Sequence, residues 1–464
     1  MSNLPHDDSG DEDTGVGIIP VVDIYASRQR MPSFTMADRS IESVHWSKKQ
    51  RSEMTDSDWA HLMQEHRIKM AVPGRAAPRP CRNWAEMNIP DVIRRSFPSS
   101  WTRPTPVQMA SIKAAISGWN LDCVASTGSG KTAAYAIPTL TRLLDNDLLG
   151  KGASVLILVP TRELAEQVLE MYHILTAHVA KCSVYAVYSG ADTEAGRQVG
   201  VRRADVIVGT PDLIHRHIAD GNLNLHGLHA LIIDEADRIV EQFGQGPLGA
   251  IISALGAARP SAQRLQYSAT RSEATTKLAH TTSRVLSIEC ATPPATITHR
   301  AVLVPSPRDR LRTLAGAVDE YVYRGHKQAL VFVNTRSDVQ PLVRALQGQV
   351  QRVRVLGVHG EDVEMRRVAA EALQDSRPVV VVCTDLFGRG IDAPHLGVVI
   401  NYDLPQNRGS FDPASFTHRV GRVGRAGKAG VAVTIAHREE RTMFRDLRAA
   451  LRAVRCRDIP DEIR

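Results

Sequence analysis

The chain has 464 residues, 43% of them apolar and 23% charged, with a formal charge of +7. That length allows two or three domains, and the composition is ordinary for a folded globular protein, which excludes wholesale disorder and fibrous or membrane-embedded chains. No run of about eighteen apolar residues occurs, and the opening MSNLPHDDSGDEDTG resembles neither a secretory signal nor an arginine-rich transit peptide, so a soluble intracellular protein is expected.

The first 44 residues are polar and lack sustained periodicity, which predicts a disordered acidic tail. Residues 1–22 hold five acids and no Lys or Arg, so taking them off a +7 chain leaves the remainder at +12. Such a surplus favours a polyanionic partner. From about residue 120 apolar strands alternate with helical stretches: VLILVP from Val155, DVIVGT from Asp205, ALIIDEA from Ala230 and RLQYSAT from Arg264. This alternation predicts a parallel sheet covered by helices. After a Thr- and Pro-rich stretch at 291–298, read as a linker, the pattern restarts with ALVFVN, RVRVLGVHG, PVVVVCTD, LGVVINYD and GVAVTIA. The expected organisation is therefore an N-terminal flank with a first α/β domain over 45–290 and a second over 299–464. The last helix, RTMFRDLRAALRAVR, places Met443, Phe444, Leu447, Leu451 and Val454 on one face and is expected to dock on the second domain. Six cysteines without a CxxC spacing suggest neither zinc nor a disulfide framework.

Three motifs carry chemistry. ASTGSGKT, residues 125–132, stands where a strand turns into a helix. Gly128 and Gly130 let backbone N–H groups close on phosphate oxygens, Lys131 would meet the β and γ phosphates, and Thr132 would bind Mg²⁺. In LIIDEADRIV, residues 231–240, an apolar run ends on Asp234, Glu235 and Asp237, three like charges that require a cation in compensation. Magnesium is usually held by one or two carboxylates plus phosphates, which assigns Asp234 to the metal's outer shell and Glu235 to the attacking water. In HRVGRVGR, residues 418–425, Arg419, Arg422 and Arg425 recur every three residues, so a helix would present them along one side. Arg422 and Arg425 would act as arginine fingers that reach the γ-phosphate on domain closure.

The ordered set resembles a DEAD-box RNA helicase of superfamily two, from about Trp84 to Ala436. RPTPVQ (103–108), ASTGSGKT, PTRELAEQ (160–167), DEAD, SAT (268–270), LVFVNTR (330–336), TDLFGRGID (384–392), NYDLP (401–405) and HRVGRVGR follow one another in the family's order. The resemblance implies two tandem RecA-like domains. It also implies an adenine-reading Gln108, an aromatic Trp84 against the base, ATP contacts from Ser126, Thr127 and Ser129, and a ribose contact from Asp392. Asp237, Ser268, Thr270 and His418 would couple hydrolysis to movement. Pro160, Thr161, Arg162, Glu163, Thr210, Arg336, Gly360 and Thr384 would grip the sugar-phosphate backbone of one RNA strand, with slight sequence preference.

Departures from the family pattern are Asp212 and Leu213 in TPDL, Ala191 in SGAD, Ser100, Glu364, and a slightly short spacing from Trp84 to Gln108. They predict a weaker grip on RNA with the ATP residues complete. The flank EMTDSDW…RPCRNW resembles both the spliceosomal donor-site DEAD-box helicase and the p68-like group, leaning to the former. The implied function is RNA-stimulated ATP hydrolysis coupled to local, non-processive unwinding or RNP remodelling, with splicing as the pathway, RNP proteins as partners, a monomeric state and a nuclear address, otherwise cytoplasmic. The rival is an ATP-gated RNA clamp or scaffold with little unwinding of its own.

Overall fold

The structure, a computed structural model, describes residues 45–188, 194–244, 246–290, 297–359, 362–385, 393, 395–407, 409–424 and 429–464; of Glu163, residues 194–198 and Val363 it describes the backbone alone. The acidic stretch 1–44, Ala191, most of the 291–298 stretch, Gly360, Asp392 and Arg425 lie outside the described residues. Residues 50–464 form one unit, and residues 45–49 carry a single turn at Trp46–Lys48.

Two sheets build the unit. The first contains β1 (Ile68–Ala71), β2 (Asn120–Ala125), β3 (Val155–Leu158), β4 (Val184–Val187), β5 (Val206–Gly209), β6 (Ala230–Ile233), β7 (Gln263–Ser268) and β8 (Val285–Cys290). Their order is β1-β8-β2-β7-β6-β3-β5-β4, all parallel except β1, which runs antiparallel along β8. The second contains β9 (Ile297–Val304), β10 (Gln328–Phe332), β11 (Arg354–Val358), β12 (Val379–Cys383), β13 (Leu396–Asn401) and β16 (Gly430–His437), ordered β11-β12-β10-β13-β16-β9 and parallel throughout. A hairpin of β14 (Gln406–Asn407) and β15 (Ser410–Phe411) lies between β13 and β16 in sequence. These are the two tandem RecA-like domains expected. The second sheet starts at Ile297, so Ile297 and Thr298 are strand residues and not linker: β9 pairs along its whole length with β16, which satisfies its backbone groups.

Continuous apolar strands follow from burial on both faces. In β10 and the residue after it, Val331 and Val333 join a cluster with Val380, Val398, Leu314 and Leu342, whereas Leu330 and Phe332 join one with Val381, Val399 and Leu373. Period-two alternation therefore feeds two cores from one strand. The C-terminal helix, Phe444–Ala453, docks as its spacing predicted: Met443, Phe444, Leu447 and Leu451 are buried against Phe416, Ala432 and Ala436. The N-terminal flank is held to the first domain by β1 along β8 and by the Cys81 N–H, which donates to Met109 O at 2.8 Å; within the flank Arg51 bonds Pro80 O at 3.1 Å and Glu86 at 2.8 Å and lies over the Trp59 ring. No described helix is long and apolar enough to cross a membrane.

Candidate active site

β2 delivers the phosphate loop. It ends at Ala125, and the chain turns through Gly128 at φ +73° and Gly130 at φ +90° into the helix Lys131–Asp145. A side chain at Gly130 would be strained by its φ and would place a Cβ 2.6 Å from Gln108 Nε2. Gln108 is buried and committed to this loop: its Nε2 donates to Gly130 O at 3.2 Å and its Oε1 accepts the Thr105 N–H at 2.8 Å. Lys131 is folded onto the loop, Nζ donating to Ala125 O at 2.8 Å and Ser126 O at 3.0 Å. Burial lowers its pKa, opposed by Asp234, Glu235 and Asp237. Ser129 Oγ is buried without a hydrogen-bond partner among the described residues, an acceptor-seeking hydroxyl of the kind a phosphate satisfies. Trp84 packs with its edge on Phe97, ring centroids 4.9 Å apart, and Nε1 donates to Trp101 O at 3.0 Å.

β6 delivers the carboxylates, and the three acids meet three different environments. Asp234 accepts Tyr135 O–H at 2.9 Å and the Glu235 N–H at 2.9 Å. Burial pushes its carboxyl up to about 6; Lys131 opposes this and Glu235 adds to it. Glu235 sits at φ +49°, the left-handed region that non-glycine residues avoid, as the N-cap of the helix Ala236–Phe243. Such strain persists where the surroundings fix it and recurs at functional sites. Asp237 accepts the Thr270 hydroxyl at 2.7 Å and the Thr270 N–H at 3.1 Å, and Ser268 Oγ donates to Thr270 O at 2.7 Å. Burial alone would raise its carboxyl, but His418, Thr270 and Ser268 hold it well below the usual carboxylate range.

The second domain completes the site. Asp412 caps the helix Pro413–Val420 by accepting the N–H groups of Ala414 and Ser415. From this helix His418 Nε2 lies 3.5 Å from Asp237 Oδ2 and Nδ1 lies 3.9 Å from Glu235 Oε1. Thr127 of the phosphate loop donates to Gly421 O at 3.1 Å. Arg422 is buried, donates from Nε to His418 O at 3.1 Å, and is close enough for its charge to depress Lys131 further. The arginine triplet is not one helical stripe, because the helix stops at Val420 and Gly421 is its C-cap. Arg419 alone lies on the helix and turns inward, reaching Asp385 at 2.6 and 3.0 Å, Asp403 O at 2.8 Å and Asn334 Oδ1 at 2.9 Å.

Of the residues assigned to RNA, Pro160, Thr161, Arg162, Thr210 and Arg336 occupy strand-to-helix corners of the two domains. Thr161 caps the helix Arg162–Thr176, Arg162 pairs with Glu166 at 2.9 Å, and Pro160 precedes them. Thr210 stands at the N-cap position of the helix Pro211–Ala219 without a side-chain capping bond and opens on a cavity of about 580 Å³ with Asp212, Leu213 and Arg216. Arg336 begins the helix that follows β10, and Thr384, after β12, keeps a buried hydroxyl with no partner among the described residues. The TPDL departure has a local rationale: Asp212 lies in a helix first turn, which favours an acid, and Leu213 packs on the first core. Sequence reasoning missed Arg238, Asp412, Ser415 and Asn407, which carry further cross-domain contacts. Their partners are more than 160 residues away in the chain, so no local signal exists.

The residues fit a nucleotide with a divalent cation: a glycine cradle, an orphaned hydroxyl, a lysine and an undercompensated carboxylate. No group of three His, Cys, Asp or Glu able to hold a metal alone occurs among the described residues.

Comparison with known proteins agrees with this layout. Residues 105–278 match the DEAD/DEAH box helicase family and residues 313–427 the helicase conserved C-terminal domain. The chain is 30% identical over 467 residues to the pre-mRNA-splicing ATP-dependent RNA helicase PRP28 of Yarrowia lipolytica, covering 93% of this chain and 78% of the relative. It is 29% identical over 434 residues to DEAD-box ATP-dependent RNA helicase 21 of Oryza sativa subsp. japonica, covering 88% of this chain and 57% of that longer relative. S. cerevisiae Dbp5 bound to RNA and ADP BeF3 shares the fold, with a TM-score of 0.67, 23% identity, and coverage of 81% of this chain and 94% of that one. With both family regions matched around the two halves of this site, the chain belongs to the DEAD-box helicases.

Proposed function

We propose that the chain is an ATP-dependent RNA helicase in which RNA-stimulated ATP hydrolysis drives local, non-processive strand separation or remodelling of an RNA–protein particle. The observation that carries this reading is the approach of His418 and Arg422, from the second domain, to the carboxylates and phosphate loop of the first. A site assembled from two domains turns over only when they close, and RNA that bridges both would favour closure.

In this reading the phosphate loop binds the triphosphate through its backbone N–H groups, Lys131 exchanges two loop carbonyls for phosphate oxygens, and Gln108 holds the loop while reading the adenine edge. Mg²⁺ held by Thr132 and Asp234 would neutralise charge on the transferred phosphoryl group. Glu235 orients the attacking water, and Arg422 with Arg425 stabilises the charge that develops. Asp237, joined to Thr270 and His418, passes the state of the site to both domains. Asp392 holds the ribose, and Trp84 stays with its aromatic neighbours beside the base. Pro160, Thr161, Arg162, Glu163, Thr210, Arg336, Gly360 and Thr384 grip one strand through phosphate and 2′-OH groups, which gives slight sequence preference. The splicing names of the relatives support pre-mRNA splicing as the pathway and the nucleus as the place, with the chain acting as a monomer among RNP proteins.

The extent of contact between the domains, Thr127 to Gly421 and Arg238 to Asp412, also favours a second reading, a long-lived ATP-gated RNA clamp. Steady-state ATP hydrolysis with and without unstructured single-stranded RNA, with Lys131→Ala as control, tests the first. Stimulation by RNA that the variant loses is the expected result, and hydrolysis indifferent to RNA would refute it. Loss of a short duplex on a multiple-turnover timescale separates helicase from clamp.

A further inference from the structure

Arg238 follows the last acid of the DEAD run, yet none of its hydrogen bonds goes to the phosphate loop. It is 3% exposed; Nη1 meets Asp412 Oδ2 at 3.0 Å and Glu241 Oε2 at 2.9 Å, and Nη2 meets Ser415 Oγ at 2.5 Å. Glu241 also accepts a hydrogen bond from Asn407, on the β14–β15 hairpin of the second domain. Ser415 continues to Asp385 Oδ2 at 3.4 Å, and Asp385 binds Arg419. A cleft of about 840 Å³, lined by residues of both domains, opens beside this contact.

From this geometry we infer that Arg238 is a positioning residue, a latch that sets how far and in what register the two domains close. The inference rests on the helicase reading above. Its physical basis is placement. Arg238 is one residue beyond Asp237 on the helix Ala236–Phe243, and Ser415 is one turn before His418 on the helix Pro413–Val420. Fixing Arg238 on Asp412 and Ser415 therefore fixes Asp237 opposite His418.

The contact is also state-selective. Glu241 lies three residues along Arg238's own helix and compensates the guanidinium whether or not the domains meet. Asp412 and Ser415 reach it only when they do. A contact made in one state alone shifts the equilibrium toward that state. Because Asp412 already spends Oδ1 on the Ala414 and Ser415 N–H groups, its Oδ2 is held rigidly for Arg238. The latch acts on closure, and nucleotide affinity of the first domain is untouched.

The test uses the full chain with one fluorophore in each domain, AMP-PNP and oligouridylate as ligands, and the variants Arg238→Ala, Asp412→Asn and both together. Each single variant should lower the closed fraction and raise the RNA concentration for half-maximal ATPase about 10- to 100-fold, within the range of coupling between contacting residues. The double variant should be no worse than the more affected single. Affinity for a fluorescent ADP without RNA should stay within about twofold, since a site with no differential contact is not shifted, and urea unfolding checks that each variant is folded. An unchanged closed fraction, or effects that multiply in the double variant, would overturn the latch. Wild-type hydrolysis indifferent to RNA would instead overturn the helicase reading, and the closed fraction would still decide on Arg238.

Discussion

Replacing Arg419 by Met should unfold the second domain before the first. Its guanidinium is among the largest fully buried side chains and makes four hydrogen bonds: two to Asp385, one to Asp403 O and one to Asn334 Oδ1. These partners come from the ends of β10, β12 and β13, so one side chain ties three strand ends to the helix Pro413–Val420. Methionine keeps an apolar stem but removes every donor and the guanidinium that lies over the Phe332 ring. Removing one member of a buried ion pair costs about 3–5 kcal/mol. Asp385 is 30% exposed at its side chain, so water recovers part of that cost and about 3 kcal/mol is the working figure.

The sequence supplies a convenient assay, because all five tryptophans precede residue 120. Tryptophan fluorescence therefore follows the first domain, whereas far-UV circular dichroism follows both. With a urea m-value of about 2 kcal/mol/M, the variant's second domain should unfold at about 1.5 M lower urea. The dichroism curve should split while the fluorescence midpoint holds. Coincident curves, or a displacement under about 0.3 M, would mean that the strand ends are held by packing and that the arginine network adds little.

Glu235→Gln should leave nucleotide binding nearly intact and abolish turnover; turnover near the wild-type rate would remove Glu235 from the water-orienting role. Gly421→Ala puts a Cβ 2.0 Å from Thr127 Oγ1 and 3.0 Å from Thr417 O, so the domain contact must shift. We expect about a tenfold loss of RNA-stimulated rate, equal to about 1.4 kcal/mol of barrier, with ADP affinity unchanged, and an unaltered rate would show that Thr127 simply rotates away. His299, half-buried on β9, has its pKa lowered to about 4 by burial. Because the unfolded imidazole titrates near 6.5, the unfolded state binds the extra proton, so stability is full above about pH 6.5 and is lost as pH falls toward 4. With the group partly exposed the loss is about 1–2 kcal/mol, and His299→Gln should flatten that acid limb of the second domain's urea midpoint. An equally steep limb in the variant would place the titration elsewhere.

The chemistry was legible in the sequence where function demands adjacent residue types. A glycine loop after a strand and carboxylates at a strand end are local patterns, and both stand where the sequence puts them. Strands buried on both faces were equally plain, since Val380 and Val381 must both be apolar to feed two cores. β1 and β9 were harder to see, because Lys69, Thr298 and Arg300 interrupt them at positions that face out. The arginine triplet misled for a different reason. Its spacing is helical, but Gly421 caps the helix between the first and second arginines, sending Arg419 inward and Arg422 to the cleft. That break was written in the sequence as a glycine after a basic last turn, a common helix stop. The partners of Arg238 and Arg419 were not written locally at all, since a buried cation is compensated by whichever carboxylates the tertiary fold brings to it.

Three carboxylates within four residues pose an electrostatic problem, and the fold solves it differently for each. Asp237 is well compensated: His418 and Thr270 surround it and, with Ser268, hold its pKa far below the usual carboxylate range, so it keeps its charge. Glu235 takes a left-handed φ as the N-cap of the following helix and lies 3.9 Å from His418 Nδ1. Asp234 is left short, with Tyr135 and one backbone N–H as partners, burial against it, and Lys131 engaged by the loop's own carbonyls. An undercompensated anion facing a lysine with two exchangeable partners is a site that gains stability from an incoming cation and an incoming polyanion together, and less from either alone. On the proposed reading, metal and triphosphate would be taken up cooperatively by the first domain. On the same reading the second domain would add selectivity, because His418 bears on the two acids that remain and Arg422 adds its charge beside Lys131, so that closure would depend on what the loop already holds.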